Sequence, residues 1–267
     1  MKQLLKQTVF YKIYKNYCIR KRNLVMERNK LFPGKVKWVD LFNARYITRK
    51  PIYDFLMTHK DYMRGKVLDF GCGSMEYKGL FDNAKEYCGL DIEGAQDNGF
   101  YAEGVTYYDG KHIPFEDSTF DSVLSVEVFE HVEYLEQIFE ELNRIMKIGG
   151  HMLFTVPMNF PCHLEPYDFR RFTKWGIKKM LEEHGFEIKE IKGSTTFQNT
   201  VRRLEILEWA QRRNYDFVYK LKVLRNNIGF ILKNDKGTTE KAPIDWLVVC
   251  KKNGSKNYGK DINISQR

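Results

Sequence analysis

From Lys66 onward the apolar positions form short runs separated by stretches of helical spacing, the alternation that builds βαβ units. The runs predict strands over Lys66–Phe70, Glu86–Asp91, Val105–Tyr108, Phe120–Ser125, His151–Val156, Phe186–Ile191 and Asp245–Cys250. Leu135, Ile138, Phe139, Leu142, Ile145 and Met146 make one apolar stripe, which predicts a helix over Leu135–Met146. Gly149-Gly150 is expected to end that helix and turn the chain into the next strand. A further helix, Trp175–His184, should stop at Gly185, and Thr173 is placed to cap it. Residues 197–233 read as helical, with a stripe of Leu204, Leu207, Trp209, Val218, Leu221 and Leu224. A polar stretch, Asn234–Lys241, leads to the last strand.

Ahead of this pattern, Leu4, Leu5, Val9, Phe10, Ile13, Tyr14 and Tyr17 recur at helical spacing between lysines, which predicts an amphipathic helix over 4–19. A basic stretch (Arg20–Lys30), a break at Pro33-Gly34 and a short helix over Tyr53–Tyr62, after Pro51, complete the segment. The chain therefore divides into a basic helical arm (1–64), an α/β domain (65–252) with a helical insertion at about 197–233, and a flexible tail (253–267).

Charge sharpens this division. Residues 1–50 hold 14 Lys/Arg against Glu27 and Asp40, so this fifth carries +12 of a net +9 and the remainder is near neutral at −3. Such an arm suits an anionic partner: lipid head groups, a phosphorylated acceptor or nucleic acid. An ordinary solvated basic face on a helix packed against the domain explains it equally well. Aromatic residues beside lysines (Phe10, Tyr11, Tyr14, Tyr17) fit interfacial placement, so peripheral contact with an anionic membrane through residues 1–30 is an expectation; nucleic acid is the weaker one. No run approaches the roughly 18–20 apolar residues of a membrane span. Lysines interrupt the N-terminal apolar residues, which is unlike a secretory signal. Five cysteines (18, 72, 88, 162, 250) without CxxC spacing argue against a disulfide framework and a zinc site, and suit a reducing cytoplasm.

Chemistry enters at the ends of the strands. Val67-Leu68-Asp69-Phe70-Gly71-Cys72-Gly73 runs a buried strand into a Gly-x-Gly turn, where backbone can approach a ligand closely. Glu76 stands where a third glycine would, which disfavours a dinucleotide fingerprint. Asp91 follows Gly73 by 18 residues at the tip of the second strand, where an acid can accept from both ribose hydroxyls. Next come Asp109-Gly110, Ile113-Pro114-Phe115 and Phe120-Asp121, then Val128-Phe129-Glu130-His131-Val132, then Asn143 through Gly150.

These blocks, in this order from about Lys66 to Ile191, resemble the class I S-adenosylmethionine-dependent methyltransferases of the type 11 group. The resemblance implies a Rossmann-like three-layer sandwich on a mostly parallel seven-stranded sheet, S-adenosyl-L-methionine as cofactor, and methyl transfer as activity. Asp69, Gly71, Cys72 and Gly73 would line its methionine end, Asp91 would hold the ribose and Ile92 would pack on the adenine. Asp109 would accept from the adenine amino group beside Gly110, and Val126 and Glu127 would lie under the methionine moiety. Asp121 is assigned to structure.

For the acceptor, His131 is the first candidate base, because an alcohol is weakly nucleophilic while protonated. Glu127, four residues earlier, is expected to face it across a helical turn and orient its ring. The arrangement is similar to that of some metal-independent sugar O-methyltransferases, which carry a His-His pair where this chain has Glu130-His131. A structural turn over the sheet is the competing reading of Glu130-His131-Val132. The block His163–Thr173 follows the fifth strand, over the mouth of the site in this fold class. It supplies His163 as a further catalytic candidate and Glu165, Tyr167, Asp168 and Arg170 as acceptor contacts, with Arg170 and Arg171 able to clamp a phosphate. Similar blocks occur in relatives linked to surface-glycan and lipid-linked sugar pathways. The expected acceptor is therefore a saccharide, glycolipid or other small molecule; RNA, a small metabolite, or a non-catalytic binding module are the alternatives. The six histidines show no HxxxH or HxH pair, so no metal is expected.

Overall fold

The computed structural model describes residues 41–95, 102–212, 217–232 and 241–254. The expectations for residues 1–40, Cys18 included, most of the polar stretch before the last strand and the tail beyond 254 lie outside these residues.

Seven strands form one sheet: β1 (Gly65–Phe70), β2 (Ala84–Ile92), β3 (Val105–Tyr108), β4 (Phe120–Val126), β5 (Met146–Pro157), β6 (Phe186–Gly193) and β7 (Asp245–Lys252). Their order is β3-β2-β1-β4-β5-β7-β6. β3, β2, β1, β4 and β5 run parallel to one another, and β7 runs antiparallel between β5 and β6. Helices α1 (Tyr46–Thr58), α2 (Leu135–Ile145), α3 (Lys174–Glu183), α4 (Phe197–Arg212) and α5 (Phe217–Leu232) complete the described elements.

Successive residues on a strand face opposite sides, so the buried apolar strands supply two cores. On one face Leu68, Val123, Met152, Phe154, Trp246 and Val248 pack with Leu135, Ile138, Phe139 and Leu142 of α2 and Ile177 and Leu181 of α3. On the other, Val67, Leu124, Leu153, Leu247 and Val249 pack with Ile52, Phe55 and Leu56 of α1 and with Phe81. The result is the expected Rossmann-like three-layer sandwich. Phe139, fully buried at the centre of the α2 stripe, contributes on the order of 3–5 kcal/mol against an alanine. A third cluster joins Ile47 of α1, Ile206 of α4, Tyr219 and Val223 of α5, and Ile244. Arg203 of α4 also crosses to α1, donating to the Thr48 hydroxyl at 2.9 Å and the Ala44 carbonyl at 3.0 Å.

Two local expectations are corrected. α1 starts at Tyr46, ahead of Pro51, and residues 60–62 tighten into a separate 3-10 turn. Pro51 withholds one backbone donor, but Ile47, Ile52, Phe55 and Leu56 all bury one face of the helix, and that packing outweighs the missing bond. Although α1 falls within the expected arm, it packs as part of the domain. Second, Gly149-Gly150 does not end α2, which stops at Ile145 with Met146 already extended. The glycines lie inside β5, where pairing shifts from Phe120↔Met146 to Ser122↔His151. A Cβ on Gly150 would stand 2.9 Å from the backbone oxygens of Asp121 and Lys147, so the bulge admits only glycine there. Asp121 is structural, accepting from the Lys66 amide and the Lys147 ammonium, both at 2.8 Å.

Candidate active site

The parallel strands end together, since Phe70 pairs with Leu90 and Asp69 with Gly89 and Leu124. The loops beyond those ends gather the singled-out residues, at the place where open α/β sheets bind ligands. Met75, Glu127 and Leu164, in the loops after β1, β4 and β5, hold left-handed backbone that side chains rarely adopt.

Gly71 and Gly73 have φ of 71° and 51°, and a Cβ on Gly71 would stand 2.4 Å from the Val128 side chain. The Gly71 and Cys72 amides donate to the Leu90 carbonyl at 2.8 and 3.1 Å, which ties the turn to β2. The Cys72 thiol is buried against Gly89 and held protonated by that burial. Asp91 accepts from the Gly73 amide through Oδ2 and from the Ile92 amide through Oδ1, each at 2.8 Å. Both carboxylate oxygens are thus fixed, each with a lone pair left for a hydroxyl. Ile92 is half exposed, with its side chain beside Gly110, where a Cβ would meet it at 3.3 Å. An apolar wall and a bare stretch of backbone therefore face each other, a slot fit for a flat ring.

Asp109 closes its own turn: Oδ1 accepts from the Lys111 and His112 amides at 2.8 Å, which pulls the carboxyl down to about 2. Asp69 is buried with the Tyr87 hydroxyl donating at 2.7 Å; burial pushes its carboxyl up to about 7. Val126 is half buried against the α1 side of the sheet. Glu76 is held by Arg49 of α1 at 2.7 Å.

Glu127 does not orient His131. No α-helical turn follows β4; Val128 leads into a 3-10 turn, Phe129–His131, and the two side chains take different partners. Glu127 instead accepts from the Thr155 hydroxyl at 2.6 Å, and burial pushes it up to about 7. The group beside His131 is Glu130, fully buried, with Oε1 at 3.6 Å from His131 Nε2 and 4.0 Å from His163 Nε2. His131 and His163, 32 residues apart, meet Nε2 to Nε2 at 3.1 Å.

The loop after β5 is built to make this meeting. Asp168 accepts both Arg171 nitrogens, at 2.6 and 2.7 Å, and the His163 amide at 2.8 Å. The Phe169 amide donates to the Glu130 carbonyl at 2.9 Å, and Arg170 donates to the Val132 and Glu133 carbonyls. Arg171 also binds the Phe160 and Pro161 carbonyls. Asp168, Arg170 and Arg171, expected at an acceptor, are spent holding the loop to the turn. Glu165 and Tyr167 are exposed, and Thr173 caps α3 by accepting from the Gly176 amide. Glu130 and Tyr87 went unassigned from sequence; an acid next to a candidate histidine was the available signal for Glu130.

Residues 68–154 match the type 11 family described as "Methyltransferase domain". A sterol 24-C-methyltransferase of Gibberella zeae is 27% identical over 137 residues, 42% of this chain and 35% of that protein. An uncharacterised protein of Methanocaldococcus jannaschii is 39% identical over 79 residues, 29% of this chain and 35% of its own. A phthiotriol/phenolphthiotriol dimycocerosates methyltransferase of Mycobacterium ulcerans is 27% identical over 113 residues, 39% and 42% of the two chains. The chain thus spans about a third of the length of the first of these curated relatives. Among solved structures the cyclase SpnF superposes with a TM-score of 0.50 at 16% identity, over 84% of this chain and 86% of that one, a likeness of fold alone. Sheet order, glycine turn and family match together define a class I S-adenosylmethionine-dependent methyltransferase domain. Within that class the domain is of the type 11 group, and its cofactor is S-adenosylmethionine.

Proposed function

We propose that this domain methylates a hydroxyl oxygen of a saccharide or glycolipid. The observation that carries the reading is the state of His131. Its Nδ1 lies 2.7 Å from the Tyr167 carbonyl, which can only accept, so Nδ1 carries the proton and Nε2 offers a lone pair. Burial lowers the pKa of the ring, which keeps it neutral at pH 7 and ready to take a proton.

Bound S-adenosylmethionine supplies a methyl group on a sulfonium, already a good leaving group. The protein's part is to hold and align the acceptor and to take its proton. Asp91 and the Gly71–Gly73 turn serve the cofactor; His131 Nε2 takes the proton from the acceptor hydroxyl. Leu164, Tyr167 and Phe169 are exposed on the loop that carries His163, a surface suited to the apolar part of a lipid-linked acceptor. Two relatives are named for lipid substrates, which supports that half of the reading. The reading extends to location, in the cytoplasm and peripheral to the inner membrane face, because residues 1–50 carry the chain's positive charge.

The test is transfer of labelled methyl from S-adenosylmethionine to nucleotide sugars and lipid-linked saccharides. His131→Ala should keep S-adenosylhomocysteine affinity and lower kcat about 10²–10⁴-fold. The wild-type rate should fall as pH drops through the lowered His131 pKa, with a midpoint below the ordinary value of about 6.5. A rate independent of His131 would remove it as the base.

A further inference from the structure

We propose that Glu130, His131 and His163 form a binding site for one divalent transition-metal ion. Three atoms define it: Glu130 Oε1, His131 Nε2 and His163 Nε2, all within 4.8 Å of one another. The edges of the triangle are 3.1, 3.6 and 4.0 Å. Those edges give a circle of radius about 2.1 Å, so an ion at its centre has metal–nitrogen and metal–oxygen distances in the range Zn²⁺ adopts.

Hydrogen bonding shows why a cation belongs there. The partner of His131 Nδ1 is the Tyr167 carbonyl. Those of His163 Nδ1 are the Pro161 carbonyl at 3.2 Å and Asp168 Oδ2 at 3.3 Å. All are acceptors, so both rings carry their proton on Nδ1 and turn Nε2 lone pairs toward each other across 3.1 Å. Glu130, fully buried, adds a carboxyl group with no hydrogen-bond partner on either oxygen among the described residues. Two facing lone pairs and an orphaned buried carboxylate are costly together unless something positive sits between them.

The outer partners are those that metal-bound histidines ordinarily have. One ring N–H goes to a backbone carbonyl and the other toward a carboxylate, and that carboxylate is itself clamped by Arg171. The Phe169 amide fixes the Glu130 carbonyl and so locks the loop after β5 to the turn after β4. Two imidazoles and one carboxylate suit Zn²⁺, Fe²⁺, Co²⁺ or Mn²⁺ rather than Ca²⁺ or Mg²⁺. The histidine side chains keep 18% and 31% of their surface, so an ion can enter and its remaining positions are open to an oxygen ligand. Resting on the methyltransferase reading, that ligand is the acceptor hydroxyl, acidified by the ion and losing its proton to solvent. In the loaded protein the ion thus replaces His131 Nε2 as the group that activates the hydroxyl.

The test uses the full chain, stripped with EDTA and dialysed against ZnCl₂ or CoCl₂, with metal content and thermal unfolding as readouts. The expected result is one ion per chain at micromolar or lower free metal, with a higher Tm. His163→Ala should weaken binding about 100-fold or more. Glu130→Gln relieves the buried charge, so it should fold with unchanged or higher Tm without metal and lose the metal-induced rise. No stoichiometric uptake by the wild type, or equal uptake by both variants, would overturn the site. S-adenosylhomocysteine titration of the same sample separates the readings: ion uptake without it overturns the methyltransferase function alone, and its binding without ion uptake overturns the metal site alone.

Discussion

Asp69 shows how one residue couples cofactor and proton. Its carboxyl is 3% exposed and stands at about 7 because burial disfavours the charge and the Asp91 and Glu76 carboxylates add to the cost. A cationic cofactor favours the ionised form, so binding must release a proton wherever the empty site is still protonated. Affinity for S-adenosylmethionine should therefore rise with pH through the 5–7 range and level off above about 7. Calorimetry in buffers of different ionisation heat measures the protons released; none at pH 6 would break the link. Tyr87→Phe removes the hydroxyl that stabilises the ionised carboxyl, and should move the levelling point upward by about one to two pH units, the worth of one hydrogen bond to a charge.

Among the elements, strands and amphipathic helices were legible because one physical period governs each. The short run of β1 is set by burial on both faces of the sheet and the stripe on α2 by burial on one face, and both appeared within a residue or two. What sequence hid was anything decided across space. Pro51 was taken as a boundary, yet packing under the sheet carries α1 through it. The Gly149-Gly150 pair reads as a helix stop, but its cause is Asp121 on the neighbouring strand. His131 and His163 were both chosen, while their meeting, and Glu130 between them, depended on a loop fold that no spacing encodes. Arg144 of α2 is a similar case. It binds the Ile113 carbonyl at 2.9 Å and the Phe115 carbonyl at 2.8 Å, and so pins the loop that follows Asp109-Gly110 to the helix. Its ion pairs with Glu141 and Asp117 are partly exposed and weak in themselves. Arg144→Met should cost about 1–3 kcal/mol, the loss of two carbonyl partners, and should also weaken S-adenosylhomocysteine binding as Gly110 loosens. Urea unfolding and calorimetry on one sample check both, and a stability loss with unchanged affinity would show that the loop does not position the slot.

Across the whole molecule, charge and catalysis are segregated. The domain beyond residue 50 is nearly neutral, at −3, while residues 1–50 carry +12. No helix among the described residues is long and apolar enough to cross a membrane. Each basic residue near an anionic surface contributes about 1 kcal/mol, a pull that decays within a Debye length of about 8 Å at physiological salt. A protein so divided should sediment with vesicles containing phosphatidylglycerol and leave phosphatidylcholine vesicles in the supernatant. Raising salt toward about 1 M shortens the screening length to about 3 Å and should release it. Binding to both vesicle types that survives salt would mean that apolar residues, rather than charge, make the contact. No binding to either would leave the basic residues to pack on the domain, and the acceptor would then have to reach His131 from solution.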